Sequence, residues 1–438
     1  MNMSASHHRL CWAYFIVMTD ANVPQGRRER DRIDYWISNV TKDAITDSEF
    51  LNGHAFSTLP IPDSPSPTCR KRKAPDDESD IIGNSSSDYT SEIPVKTQAL
   101  VGLAKPVLFK DLFAPMHQLP SDVQLLYQRI HSIAFYHANY LPAQDRAKIS
   151  SIIGDIPDYS FHNGGAGDFD TLQEILFASQ ECQKLGRSEP SWNMLVHAPL
   201  LKTALKNHHY VDEELMHWAR ICRPFMPPLE EIGDRHGALT GGKIVDLAMV
   251  LTPAEEGSRA SGRKPKGNKR DTARDKTLLR AIQSNVLRGE PMDTQGVNQT
   301  TYTPVMFRPI ATAMATKAEG GAEEGKVQLG IWTWAWHRRM VALRTLIGPG
   351  RVGSKIVTVP LILVLGHQWK LLFACDAGDS LDILGDVPIG DTCTLLGLYT
   401  VVAVLRELAD WIEGPFRDWI MHLFKIDEDR DESDPDLW

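Results

Sequence analysis

Residues 307–317 read FRPIATAMATK, and the way this stretch pairs with its neighbours decides the fold. The apolar run over 305–317 lacks helical spacing and predicts a buried strand that ends in Ala315-Thr316-Lys317. Alternation along a strand puts Ala311, Ala313, Ala315 and Lys317 on one face. Upstream, residues 243–251 (KIVDLAMVL) read as a second buried strand, with Asp246 set among apolar neighbours. A carboxylate there is costly unless something neutralises or hydrogen-bonds it. Residues 218–225 read as a further strand.

The same reading extends outward. Downstream, residues 326–346 form a predicted helix with Trp332, Trp336, Met340 and Leu343 on one face, followed by strands over 356–365 and 369–375 joined at Gly366-His367. Upstream, Ser188-Glu189-Pro190 opens a helix, because proline is pre-set for the first helical turn. Trp192, Leu195, Val196, Pro199 and Leu200 recur at its core-facing spacing, and Glu189 stands at its entrance. A helix, then strands, a helix and paired strands describe an α/β domain whose central sheet is flanked by helices. Capping-box pairs Ser121/Gln124 and Asp170/Gln173 predict a leading helical region, the first helix running through Ala138. Apolar helices over 395–411 and 416–424 close the domain, which spans 101–426, and 427–438 is an acidic tail.

Residues 1–100 are rich in Ser, Pro, Asp and Asn and are expected to be disordered, apart from a short amphipathic piece, IDYWISNV, at 33–40. Within them, Arg70-Lys71-Arg72-Lys73 reads either as a nuclear import signal or as a solvated charge run. Residues 254–298 form a hydrophilic insert, expected to be flexible, with eight Lys or Arg against two Asp between 259 and 276. The whole chain of 438 residues carries 47 Lys and Arg against 56 Asp and Glu, a net charge of −9. That excludes a uniformly basic nucleic-acid coat and leaves room for a local basic patch. The six cysteines show no C-x-x-C spacing, so neither a zinc knuckle nor a dithiol redox site is signalled. The apolar run at 356–365 is about half the roughly 20 residues a membrane helix needs, so no membrane segment is expected. Residues 10–18 are apolar but lack a small-x-small cleavage site, so they read as an extension and the protein as intracellular.

Several stretches, taken together and in order, resemble those of the fungal PD-(D/E)XK nuclease-like proteins. They are IDYWISNV, EPSWNMLVHAPLL from Glu189, KIVDLAMVL around Asp246, FRPIATAMATK up to Lys317, VQLGIWTWAW from Val327, LILVLGHQW, and LGLYTVVAVLRELADW. The resemblance covers most of residues 100–425. It implies a restriction-endonuclease-like fold and magnesium-dependent hydrolysis of a nucleic-acid phosphodiester. Such chemistry needs a hard cation on the anionic phosphate and a nucleophile held in line. Glu189 and Asp246 match the family's metal carboxylates, Lys317 its lysine and Gln328 its helix glutamine.

Two positions depart from the family. Its Glu-Thr-Lys is Ala315-Thr316-Lys317 here, and a methyl group binds no cation; Glu319, Glu323 or Glu324 could reach in from the following turn. Gln368 stands where the family carries aspartate. The expectation is a degenerate nuclease, with a catalytically inactive nucleic-acid-binding or protein-interaction module as the alternative. Each site residue also has a plain structural reading: Asp246 as a backbone-bonded core aspartate, Glu189 as a helix-start carboxylate, Lys317 as a strand-end side chain reaching solvent, Gln328 as a surface residue. Trp332, Trp334 and Trp336 suggest a stacking platform, yet their spacing favours packing, and His197 reads as a core histidine. Arg263, Lys264, Lys266, Lys269 and Arg270 in the insert are the candidate phosphate contacts.

Overall fold

A computed structural model describes residues 95–164, 167–228, 245–253, 269–318, 320–348 and 355–426. The expectations for the N-terminal 94 residues, for Arg263, Lys264 and Lys266, and for the acidic tail lie outside the described residues. The chain divides into two compact units, and the one containing the described residues spans Asp88–Trp438.

In chain order its elements are α1 (Val95–Val101), β1 (Val107–Asp111), α2 (Pro115–Gln118), α3 (Ser121–Ala134), β2 (Leu141–Pro142), α4 (Arg146–Ile153), β3 (Phe161–His162) and α5 (Phe169–Lys184). Then come α6 (Glu189–Trp192), a π turn (Asn193–His197), α7 (Ala198–Leu205), β4 (Val211–Leu215), β5 (Leu247–Leu251) and α8 (Lys269–Gly289). The closing run is β6 (Ile310–Lys317), α9 (Ala322–Ile347), β7 (Val359–Leu365), β8 (Gln368–Asp376), β9 (Leu381–Asp391), α10 (Leu395–Trp411), a π turn (Ile412–Phe416) and α11 (Arg417–Leu423).

Seven strands make one mixed sheet in the order β1-β9-β8-β7-β6-β5-β4. Strands β4, β5 and β6 pair antiparallel, β6 and β7 pair parallel across the crossover helix α9, and β1 pairs parallel with β9. Helix α9 packs on β6 and β7, and α10 packs on β9, α3 and α7. This is the helix-flanked mixed sheet of a restriction-endonuclease-like fold. Trp332, Trp334 and Trp336 are all buried, so the tryptophan cluster of α9 is core and not a stacking platform.

Several boundaries differ from the sequence expectation, each for a local reason. The strand expected from 305 starts at Ile310, because Pro304 opens a 3-10 turn and Pro309 has no amide to give to a ladder. The strand expected at 218–225 is absent: Pro224 sits in a 3-10 turn there, and the edge strand is β4, whose sequence VDEEL looks like surface. Arg308 accounts for that strand by pairing with Asp212 and Glu214 at 3.2 and 3.0 Å. The first helix stops at Ala134, since His137 and Asn139 both adopt a left-handed φ of 52°. Neither expected capping box forms: Pro120 and Asp168 hold the N-cap positions without side-chain caps, and Asp168 binds Lys206 and Arg406 instead.

The largest correction concerns the insert. It contains α8, which buries Leu278, Ile282 and Val286, an i, i+4, i+8 stripe hidden among Lys and Arg. Lys269 and Arg270 belong to its first turn. Strand β9 is a further addition to the expected elements, because Pro388 and the left-handed Gly390 (φ 122°) punctuate it like a loop.

Candidate functional site

The site forms where β6 ends and α6 begins. Pro190 fixes the start of α6, leaving Glu189 as its first residue, where the helix dipole favours a carboxylate. Lys317 closes β6 with its side chain 10% exposed, and its Nζ donates to Glu189 Oε2 at 3.2 Å. The same ammonium lies 3.5 Å from Glu324 Oε1, in the first turn of α9, and Gln328 Nε2 donates to that carboxylate at 3.3 Å. A Cβ at Gly321 would sit 2.9 Å from three carbons of the Lys317 stem, so the turn into α9 can cover the lysine only with glycine there.

Asp246 joins from a bend directly before β5, which starts at Leu247 and not at the expected 243. It is 1% exposed, its amide donates to Met314 O, and its Oδ2 accepts the Thr316 amide at 2.7 Å. The carboxylate is therefore held one residue from Lys317. Ala315, on the same strand face as Lys317, is completely buried and pairs across the parallel ladder with Leu363.

The matched residues thus gather at one end of β6: Glu189, Lys317 and Gln328 are linked through direct contacts and Glu324, and Asp246 through the β6 backbone. Glu324 is the one of the three following glutamates shown at the lysine, and Glu319 lies outside the described residues. Gln368 begins β8, exposed and paired with Leu365.

Glu189 and Asp246 offer hard oxygen donors of the kind magnesium takes, and magnesium is commonly held by one or two carboxylates plus substrate phosphate. The donor types therefore fit a divalent cation at two positions, while the third is a methyl group. Among the described residues, the group of three potential ligands within 4.8 Å of one another lies elsewhere, at His208, Asp410 and Glu413. Burial pushes the Asp410 carboxyl up; it also raises Glu413, but His208 and the Tyr210 and His209 amides outweigh it and hold Glu413 below its ordinary value. No spacing pattern along the chain signals this group, because His208 stands about 200 positions from the other two.

His197 secures the helix that carries Glu189. It is fully buried, with Nε2 3.1 Å from the Gly366 carbonyl and Nδ1 2.9 Å from the Asn193 carboxamide. The atom of Asn193 that faces Nδ1 is the carbonyl oxygen Oδ1. Burial lowers the His197 pKa to about 4, against the opposing pull of the Gly366 carbonyl and Glu189. Because the folded value lies below the free value of about 6.5, acid protonates the unfolded chain first. The stability from neutral His197 is full above about pH 6.5 and declines as pH falls toward 4, by about 3 kcal/mol over that window. Urea melts at pH 7 and pH 5 are expected to show about 2 kcal/mol of this loss in wild type, about 1.5 pH units below the free value, and a smaller one in His197→Gln; equal losses would refute the assignment.

No curated protein matches the chain, and no solved structure does. A family model described as the PD-(D/E)XK nuclease superfamily matches residues 142–417, from β2 to the first residue of α11. Its span takes in Glu189, Asp246, Lys317 and every strand of the sheet except β1, and the chain belongs to the PD-(D/E)XK nuclease superfamily.

Proposed function

We propose that this protein is a degenerate PD-(D/E)XK nuclease: it binds nucleic acid, holds most positions of a metal-dependent phosphodiesterase, and has lost one metal carboxylate. The observation that carries this reading is Ala315, completely buried on the lysine's strand face, two residues before Lys317. In a complete site of this class, Glu189 and Asp246 would hold magnesium, which polarises the phosphate and makes bound water a stronger nucleophile. Lys317 brings positive charge to the anionic phosphate or the attacking water, and Glu189 and Glu324 orient its ammonium. Without a carboxylate at 315, binding of the scissile phosphate outlasts the capacity to cleave it.

The basic insert supports the binding half of this reading. Arg263, Lys264, Lys266, Lys269 and Arg270 supply a dense run of positive charge next in the chain after β5. Changing all five to alanine is expected to weaken duplex binding and to reduce the log–log salt slope by about 0.9 for each phosphate that is no longer neutralised. An unchanged slope would remove the insert from the interface. The Arg70–Lys73 run gives such a protein a nuclear import address. Among the described residues no helix is long and apolar enough to cross a membrane.

A second reading rests on Glu324, whose carboxylate lies 3.5 Å from Lys317 Nζ and could replace the missing one. Plasmid nicking and RNA degradation with magnesium or manganese separate the two. The degenerate reading expects wild type and Lys317→Ala to share the same background; metal-dependent cleavage lost in both Lys317→Ala and Glu324→Gln would establish the second.

A further inference from the structure

Residues 216–219 (Met-His-Trp-Ala) form a tight turn at the edge of the candidate site. Ala219 N donates to Met216 O at 3.0 Å, and Met216 N donates to the backbone oxygen of Asp246 at 2.9 Å. Both ends are anchored, Met216 and Ala219 being buried, while Trp218 at the tip is 80% exposed. Trp218 stands two residues from the partner of Asp246, and its Cα is therefore within about 8 Å of that of Met216. The other tryptophans of the described residues are buried or half-buried. An indole so exposed leaves a large apolar face in water, which is uncommon for this side chain.

The segment after the turn repeats the pattern. Arg220 and Arg223 are exposed, whereas Ile221 and Phe225 are buried and Cys222 N donates to Gln299 O at 2.9 Å. The backbone is thus fixed at several points, while Trp218, Arg220 and Arg223, within six consecutive residues, are exposed. Arg308 pairs with Asp212 and Glu214, two of the three acidic residues of β4.

We infer that Trp218, with Arg220 and Arg223, is a stacking post for single-stranded nucleic acid beside the Asp246–Lys317 site. This rests on the nucleic-acid-binding reading above and adds a substrate class to it. Bases in a duplex are already stacked on one another, whereas an unpaired base has a free face for the indole. Arginine supplies the adjacent phosphate contacts and does not depend on sequence.

Fluorescence anisotropy in EDTA tests this without involving cleavage, using the full chain with labelled 15-mers of oligo-dT and oligo-U and a 15-base-pair DNA duplex. Trp218→Ala is expected to weaken both single strands about tenfold or more and to leave the duplex nearly unchanged, with Trp218→Phe keeping most of the affinity. Arg220→Ala/Arg223→Ala is expected to lower the single-strand salt slope by about 1.4, two phosphates at about 0.7 each. An oligo-dT effect alone, or an oligo-U effect alone, fixes DNA or RNA as the ligand. Failure of wild type to bind either strand overturns the inference, as does equal binding by wild type and Trp218→Ala. Duplex binding that survives in that second case leaves the broader nucleic-acid reading standing, and absence of cleavage has no bearing on this result. Because Trp218 is exposed, its replacement should leave the circular dichroism spectrum and melting temperature unchanged.

Discussion

In EDTA, Ala315→Glu is expected to melt roughly 10 °C below wild type, and millimolar magnesium or manganese to restore a large part of that loss. The new carboxylate enters a fully buried position between strands already packed around it. Its burial costs several kcal/mol after relaxation, and overpacking adds about 1–3 kcal/mol. The Asp246 carboxylate, held by the Thr316 amide, adds like-charge repulsion, which Lys317 offsets in part. A cation bound by Glu189, Asp246 and the new carboxylate would reverse the charge terms and stabilise by RT ln(1 + [M]/Kd), about 2.7 kcal/mol at a hundredfold excess over Kd. Ala315→Gln separates size from charge: it should be destabilised without cation rescue. Scanning calorimetry at matched ionic strength is the measurement. Equal melting of Ala315→Glu with and without cation, or an equally large cation effect on wild type, would show that position 315 is not the missing ligand.

Arg417→Met is expected to cost about 3–5 kcal/mol, the range for removing one partner of a buried ion pair. Arg417 Nε donates to Asp275 Oδ1 at 2.9 Å, with the aspartate side chain 1% exposed and the guanidinium 11%. The guanidinium carbon also lies 5.1 Å from the Tyr210 ring centroid. This pair ties α8, the helix within the insert, to α11 at the end of the domain. Asp275→Leu combined with Arg417→Met should recover much of the loss, since the isolated buried charge is then gone. Urea unfolding of the four proteins measures the coupling, and a single-variant loss below about 1 kcal/mol would mean the pair is not structurally important.

The parts of the fold legible in sequence are those whose own residues bear the packing signal. Helix α9 carries its tryptophans at helical spacing, and β6, β7 and β8 are runs of apolar residues. The illegible parts depend on distant partners. Strand β4 looks polar until Arg308, nearly 100 positions away, neutralises it, and α8 looks like a basic loop until the rest of the domain covers Leu278, Ile282 and Val286. At the site, the sequence resemblance points to Glu189, Asp246 and Lys317 in order, and the proposed gap at Ala315 rests on the same resemblance. The turn at Trp218 is not, because its position is set by backbone bonds from Met216 to Asp246 and from Cys222 to Gln299, both far apart in sequence. Aromatic content alone points to α9, where the indoles are core; only exposure distinguishes Trp218 from them.

The most direct measurement compares plasmid nicking and RNA degradation by wild type, Ala315→Glu and Ala315→Glu/Lys317→Ala with magnesium and with manganese. Cleavage by Ala315→Glu alone, at least about a hundredfold above the other two, is the expected result, since one supplied ligand would complete the metal site and Lys317 would still be required. Metal-dependent cleavage by wild type that disappears in Lys317→Ala would contradict the account: the protein would then be an active nuclease, and the loss of the carboxylate at 315 would not have disabled it.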